Sequence, residues 1–190
     1  MKTVVTLLCT ALTCAGAMAA GYSESMSGDL SDDGLAPTPV KTRAGANTID
    51  GADGMKSGVV DRDYFAIKVP KGQVLKSIVL DPATKVGGHF SFLGVQKGKQ
   101  VTVDPEGSSA AGLLGWTHYE TNDEGKDILP AICRGGNGAT GCTPPLKAGV
   151  YSFWAQETSA CDCHYRFIFT LAAAAAEDAA AAEDGDAAAR

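Results

Sequence analysis

The stretch VVDRDYFAIKVPKGQVL, residues 59–75, decides the fold because it joins an alternating apolar segment to a turn. Phe65, Ile67 and Val69 recur every second residue, which is the pattern of a strand with one buried face. The Pro-Lys-Gly sequence that follows is typical of a turn. This stretch therefore predicts a half-buried strand that ends in a tight connection.

Further segments of the same kind follow along the chain, and turn residues separate them. They are QVLKSIVLD (73–81), HFSFLGVQ (89–96), QVTVD (100–104), VYSFWAQE (150–157) and HYRFIFTL (164–171). No long segment has a 3.6-residue period, and GKDILPAI (125–132) predicts at most a helical turn that Pro130 breaks. The sequence thus predicts an all-β protein, an antiparallel β-sandwich with a jelly-roll-like arrangement. The expected core residues are Phe65, Ile67, Val69, Ile78, Leu80, Phe90, Phe92, Phe153, Phe167 and Phe169.

The two ends of the chain differ from its centre in composition. Residues 1–20 combine Lys2, a short apolar stretch and small residues near Ala19, which is the layout of a signal peptide and predicts export to the periplasm or the extracellular space. Residues 172–190 are rich in alanine and acids, carry much of the net charge of −6, and are expected to form a disordered tail. Neither end is long and apolar enough to anchor the chain in a membrane. Residues 21–171 are the expected single domain.

Four cysteines lie outside the predicted signal peptide: Cys133, Cys142, Cys161 and Cys163. In an exported chain an even number of cysteines indicates disulfides, and the spacing lacks the paired C-x-x-C of a zinc site. A bridge between Cys161 and Cys163 would close a very small ring. We therefore expect both to pair with the loop CRGGNGATGC, although three pairings are open.

Sequence signatures of catalysis and of nucleic-acid binding are missing. The chain has no G-x-S-x-G elbow, no H-E-x-x-H spacing and no P-loop, and its lysines are dispersed over an acidic protein. His118 is flanked by Trp116 and Tyr119 in a segment of irregular pattern, where binding loops are expected. These three residues are the predicted binding surface. The alternative from another class is a metal-dependent secreted hydrolase that uses His118 and nearby acids.

The acidic residues before the first strong strand predict a possible calcium site. The segment SGDLSDDG supplies Asp29 and Asp32, and Asp61 and Asp63 directly precede the alternating strand. Calcium takes six to eight oxygen ligands, which aspartates on loops supply. The spacing does not fit an EF-hand, and turn-forming acids at exposed strand ends are the simpler interpretation. An acid/base pair is not supported, because no nucleophile accompanies the carboxylates.

The segments SGDLSDDGLAPTPV, GANTIDG, DRDYFAIKVPKGQVLKSIVL and PPLKAGVYSFWAQET together resemble the bacterial pre-peptidase C-terminal domain. The resemblance implies a jelly-roll-like sandwich without catalysis, and in some relatives a calcium ion between the N-terminal linker and the aspartates before the Tyr-Phe strand. Asp63 matches the aspartate next to Tyr-Phe. Val60 stands where those relatives have a second ligand, so Asp61 would have to replace it.

The sequence thus predicts a non-catalytic exported module that binds another secreted protein, a polysaccharide or a matrix component. Calcium is the one possible cofactor, and nucleic acid is not an expected partner. A purely structural periplasmic protein is a third possibility.

Overall fold

The computed structural model describes residues 20–86 and 91–175. Residues 1–19 of the predicted signal peptide, His89 and Phe90, and residues 176–190 of the predicted tail lie outside the described residues. No helix within the described ranges is both long and apolar enough to cross a bilayer.

Strands are the main regular structure of the described chain, with a few short helices between them. In chain order these are β1 (Ala20–Ser23), α1 (Glu24–Ser27), β2 (Thr38–Val40), β3 (Gly45–Lys56), β4 (Val59–Val69), β5 (Gln73–Leu80), β6 (Phe92–Lys97), β7 (Gly115–His118), a 3₁₀ turn (Thr121–Asp123), α2 (Leu129–Cys133), β8 (Gly149–Gln156) and β9 (Cys163–Ala173). The prediction of an all-β protein is confirmed.

The strands form one curled sheet in the order β5-β9-β3-β4-β8-β6-β7, with β1 beside β3 and β2 beside β4. β3 pairs with β9 from Gly45 to Asp53, and meets β4 only through its last residues, Gly54–Lys56. The sheet therefore divides at this hairpin into two halves that face each other. The ring centroid of Phe169 on β9 lies 5.9 Å from that of Phe65 on β4 and 5.0 Å from that of Phe153 on β8. These contacts across the two halves give the sandwich-like core.

The alternation in the sequence correctly predicted which residues fill this core. Eight of the ten expected core residues are buried, namely Phe65, Ile67, Val69, Ile78, Leu80, Phe153, Phe167 and Phe169. Phe92 is only half-buried and packs on the opposite face of β4 and β8, against a second cluster. That cluster consists of Tyr64, Val101, Ala110, Leu113 and Trp154. The loop that follows β6 thus forms an outer layer over one half of the sandwich.

Three predictions about local structure were wrong. Residues 100–104 are not a strand, because Val101 donates its N–H to Gly34 and packs in the second cluster. Pro130 does not break a helix but lies in the first turn of α2, where its missing N–H is not needed. Ala172 and Ala173, assigned to the tail, continue β9 beside β5.

All four cysteines outside the predicted signal peptide form disulfides, as expected, but the pairing differs from the prediction. Cys133 bonds to Cys142, and Cys161 bonds to Cys163, with Cα–Cα distances of 4.5 and 5.3 Å. The expected bridges from Cys161 and Cys163 to the loop are therefore wrong. The loop closes on itself instead, since the N–H of Cys142 donates to the carbonyl of Cys133.

Candidate functional site

Asp63 is a charged residue on the inner face of the sandwich. Residues of β4 alternate, so Asp63 shares the face of Phe65 and Ile67, and its side chain is fully buried. The Oη of Tyr165, also fully buried, donates to Asp63 Oδ2 at 2.8 Å. The other oxygen, Oδ1, receives no hydrogen bond from a described N–H or hydroxyl donor, and the Glu24 carboxyl lies within hydrogen-bond reach of the Asp63 side chain.

Two further carboxylates from the N-terminal segment complete a group around Asp63. Glu24 on α1 accepts the N–H of Leu30 at 3.0 Å and the N–H of Ala52 at 2.7 Å, so both of its oxygens are held in place. One oxygen each of Glu24, Asp29 and Asp63 lies within 4.8 Å of the others. We call these three residues the carboxylate group.

The approach of Glu24 depends on a glycine. A Cβ at Gly51 would lie 2.5 Å from the Tyr165 Oη and 2.8 Å from the Glu24 Cδ. Only glycine at this position leaves room for both side chains. The chain backbone of β3 is therefore one wall of the space around the carboxylate group.

The carboxylate group is electrostatically unfavourable unless a proton or a cation joins it. Burial, and then the nearby charge of Glu24, raise the pKa of Asp63 to about 9. Burial also raises the pKa of Glu24. A buried carboxylate oxygen without a donor is costly, and a bound proton or a divalent cation would relieve that cost.

The four aspartates predicted as calcium ligands divide into two pairs. Asp29 and Asp63 are brought together in the carboxylate group, whereas Asp32 and Asp61 are not members of it. Asp61 is half-buried opposite Gly54, and burial and the charges of Asp29 and Asp32 raise its pKa. Glu24 was missed by the sequence reasoning, because a glutamate in the polar stretch GYSESMSGD has no pattern that marks it.

A second pair of buried acids lies at the same end of the sandwich. Asp53 is 2 % exposed, and burial followed by the charge of Glu157 raises its pKa to about 7. Glu157 accepts a hydrogen bond of 2.6 Å from the hydroxyl of Ser91. These acids add negative potential near the carboxylate group, which favours cations.

On the outer face, an aromatic cleft opens beside β6, β7 and β8. We give this name to the space whose aromatic lining residues are Phe92, Trp116, His118 and Trp154, and which has a volume of about 210 Å³. The rings of Phe92 and Trp116 lie 5.8 Å apart and within 25° of parallel. Phe92 also contacts Trp154 at 4.7 Å, tilted by 57°. This volume is below the roughly 300–1,000 Å³ of sites that enclose a whole drug-sized ligand, so the cleft has room for part of a larger ligand.

The predicted binding residues lie at different depths. Trp116 is half-buried and His118 is exposed, and both line the aromatic cleft. Tyr119 is 1 % exposed and packs its ring against Phe167 in the core, so its assignment to a binding surface is corrected. The cause is the strand alternation, which turns residue 119 inward after His118. Trp154 was assigned only to a strand and Phe92 to the core, although both contribute to the same cleft.

Histidine does not take part in the carboxylate group. In the described ranges, the residues placed to share one metal ion are Glu24, Asp29 and Asp63 alone. His118 lies in the aromatic cleft with its Nδ1 3.3 Å from the Ser91 carbonyl, and His164 is at the start of β9. His118 therefore lies apart from the candidate cation ligands, whereas His164 lines the same surface pocket as Glu24 and Asp29 without belonging to the carboxylate group.

Comparisons with protein families, with curated proteins and with solved structures found no match to this chain.

Proposed function

We propose that the chain is a non-catalytic exported module that binds a secreted protein, a polysaccharide or a matrix component in the aromatic cleft. The observation that carries this proposal is the cleft itself, in which Trp116 and Trp154 meet Phe92 at an open surface. Aromatic side chains in a partly open site are the residues that contribute most to binding energy. The two disulfides support an exported location, because such bonds persist in oxidising compartments.

A calcium ion held by Glu24, Asp29 and Asp63 would stabilise this module. The buried Oδ1 of Asp63, which receives no hydrogen bond from a described N–H or hydroxyl donor, supports a cation here, since hard oxygen ligands of this kind are those that calcium prefers. The arrangement also agrees with what the resemblance to the pre-peptidase C-terminal domain implies, namely carboxylates from the N-terminal segment beside the aspartate before Tyr-Phe. The ion would link the N-terminal segment, through Glu24 and Asp29, to Asp63 on β4.

The binding proposal is tested by retention on solid supports. The purified full chain is applied to insoluble cellulose, to chitin and to immobilised gelatin, and the retained fraction is measured. We expect retention on at least one support, and its loss in Trp116→Ala with an unchanged melting temperature. Leu35→Ala is the matched control, because Leu35 is an exposed apolar residue (58 %) that does not line the cleft. Equal retention of wild type and Trp116→Ala would contradict the proposal.

The calcium proposal is tested by thermal unfolding with calcium chloride and with EDTA. A ligand that binds only the native state raises the melting temperature. We expect a rise with calcium in the wild type and none in Asp63→Asn. An identical melting temperature in calcium and in EDTA would remove the cation from the proposal and leave the binding cleft in place.

A further inference from the structure

We infer that the occupant of the aromatic cleft is a neutral oligosaccharide, with a pyranose ring stacked on Phe92 and Trp116. This inference rests on the proposed binding function and narrows it to one ligand class. Three features of the cleft carry it: the aromatic surface, the polar side chains around it and the absence of lysine and arginine from its described lining.

The aromatic surface suits the apolar face of a sugar ring. Phe92 and Trp116 are stacked within 25° of parallel, and the ring of Trp154 is tilted against that of Phe92, so three aromatic rings meet in the cleft. The face of an aromatic ring carries negative charge density, which attracts the slightly positive C–H groups of a pyranose. Trp116 is held in position because its Nε1–H donates to the Gly136 carbonyl at 3.2 Å.

Three polar side chains of the cleft each use one atom in a hydrogen bond within the protein, and each has a second polar atom that can bond to a ligand. The Nδ2 of Asn137 donates to the Ser108 carbonyl at 2.8 Å, which leaves its Oδ1 as an acceptor. The Oε1 of Gln156 accepts from Arg62 at 3.1 Å, which leaves its Nε2 as a donor. The Oδ1 of Asp104 accepts the N–H of Glu106 at 3.0 Å, which leaves Oδ2. The side chains are thus oriented before a ligand arrives, which lowers the entropy cost of binding.

This mixture of donors and acceptors matches hydroxyl groups, each of which both donates and accepts.

The charge of the lining disfavours acidic ligands. None of the described lining residues is lysine or arginine, Asp104 is an acid, and His118 is the one basic side chain type in that lining. Phosphate, sulfate and carboxylate groups are most strongly bound where arginine or lysine pairs with them. A neutral sugar fits the cleft better than an anionic polysaccharide or an acidic peptide does.

The two tryptophans of the chain are Trp116 and Trp154, and both line the cleft, so intrinsic tryptophan emission reports on this site alone. The full chain is titrated with cellohexaose, chitohexaose and maltohexaose, with polygalacturonate as an acidic sugar and gelatin peptides as a protein ligand. We expect a saturable emission change with at least one neutral hexasaccharide and none with polygalacturonate.

Two variants test the assigned contacts. Trp116→Ala should weaken the affinity about tenfold or more, as loss of a central aromatic contact does. Asn137→Gly should weaken the affinity about fivefold through one lost hydrogen bond. The variant should fold normally, because Asn137 has a positive φ of 50°, which glycine adopts without strain. Ser57→Gly, also at a positive φ (54°) but outside the cleft, is the matched control and should bind as the wild type does.

The outcomes separate this inference from the function on which it rests. An emission change with gelatin peptides but with no neutral sugar would overturn the sugar assignment and leave the binding function standing. No change with any probe, together with solid-phase retention that does not depend on Trp116, would overturn both. Equal affinities of wild type and Asn137→Gly for the sugar would overturn the assigned contact geometry and with it the inference.

Discussion

At the scale of single residues, Asp63 couples the stability of the fold to pH. Its pKa rises from 3.8 in the unfolded chain to about 9 in the folded one, because the carboxyl is buried and Glu24 lies beside it. Between these values the folded state binds more protons than the unfolded state does. The free energy of unfolding of the calcium-free protein should therefore fall as the pH rises through this window.

The first prediction follows from that sign. In EDTA, the melting temperature should decline steadily from mildly acidic to mildly alkaline pH in the wild type. In Asp63→Asn the decline should be shallower above pH 7, because an amide does not titrate, whereas Asp53, with its pKa raised to about 7 by burial, keeps its own contribution below that pH. Asp32→Asn, at an exposed position outside the carboxylate group, should keep the wild-type slope. Parallel curves for wild type and Asp63→Asn would show that another group is responsible.

The second prediction compares two buried tyrosines that differ in their hydroxyl contacts. Tyr165 donates to Asp63, whereas the Oη of Tyr119 has no partner among the described residues. Tyr165→Phe should lower the free energy of unfolding by about 1–3 kcal/mol, because it leaves a buried carboxylate without its donor. Tyr119→Phe should change it little or raise it. Urea denaturation of both variants measures the difference, and equal losses would contradict the assigned contacts.

The same residues show where sequence reasoning stops. The alternation that correctly placed Phe65, Ile67 and Val69 in the core also turns Asp63 inward, so its burial was implicit in the sequence. The residues that contact Asp63 could not be predicted from the sequence. Glu24 reaches Asp63 only because β1 pairs with β3 and Gly51 leaves space, and these are contacts between segments distant along the chain.

At the scale of elements, the loop after α2 contributes to one side of the aromatic cleft. The bond between Cys133 and Cys142 joins the end of α2 to the end of this loop. The loop carries Gly136, which positions Trp116, and Asn137, which lines the cleft. The disulfide therefore fixes a wall of the proposed binding site.

The third prediction tests this role. Closing a loop of this length stabilises the folded state by about 2–3 kcal/mol through the lost entropy of the unfolded chain. Cys133→Ser combined with Cys142→Ser should lower the urea midpoint correspondingly and weaken neutral-sugar binding in the tryptophan titration. The double variant Cys161→Ser with Cys163→Ser, whose residues do not line the cleft, should leave the affinity unchanged. Equal affinity in both double variants would contradict the role of the loop.

The pairing of these cysteines was not accessible from the sequence, although their oxidation was. Disulfide connectivity depends on which segments meet in space, and the loop folds back on its own start through the hydrogen bond from Cys142 to Cys133. The same limit applies to residues 100–104. Their alternating pattern is that of a strand, but the segment packs sideways on Tyr64 and Leu113 instead of joining the sheet.

At the scale of the whole molecule, the two hydrophobic clusters share their strands. β4 places Phe65 in the core and Tyr64 in the outer cluster, and β8 does the same with Phe153 and Trp154. Because the same two strands contribute side chains to both clusters, unfolding of β4 or β8 disrupts the core and the outer cluster together. One cooperative unfolding transition follows from this arrangement.

The fourth prediction uses the position of the tryptophans in the outer layer. Tryptophan emission reports that layer and far-ultraviolet circular dichroism reports the strands, so the two urea transitions of the wild type should coincide. Phe169→Ala removes the ring that contacts Phe65 and Phe153 across the sandwich, and should cost about 3–5 kcal/mol. Because Phe169 lies in the core and the tryptophans do not, both signals shift together only if the two clusters unfold as one. Emission lost at a lower urea concentration than circular dichroism would show that the cleft unfolds separately from the sandwich beneath it.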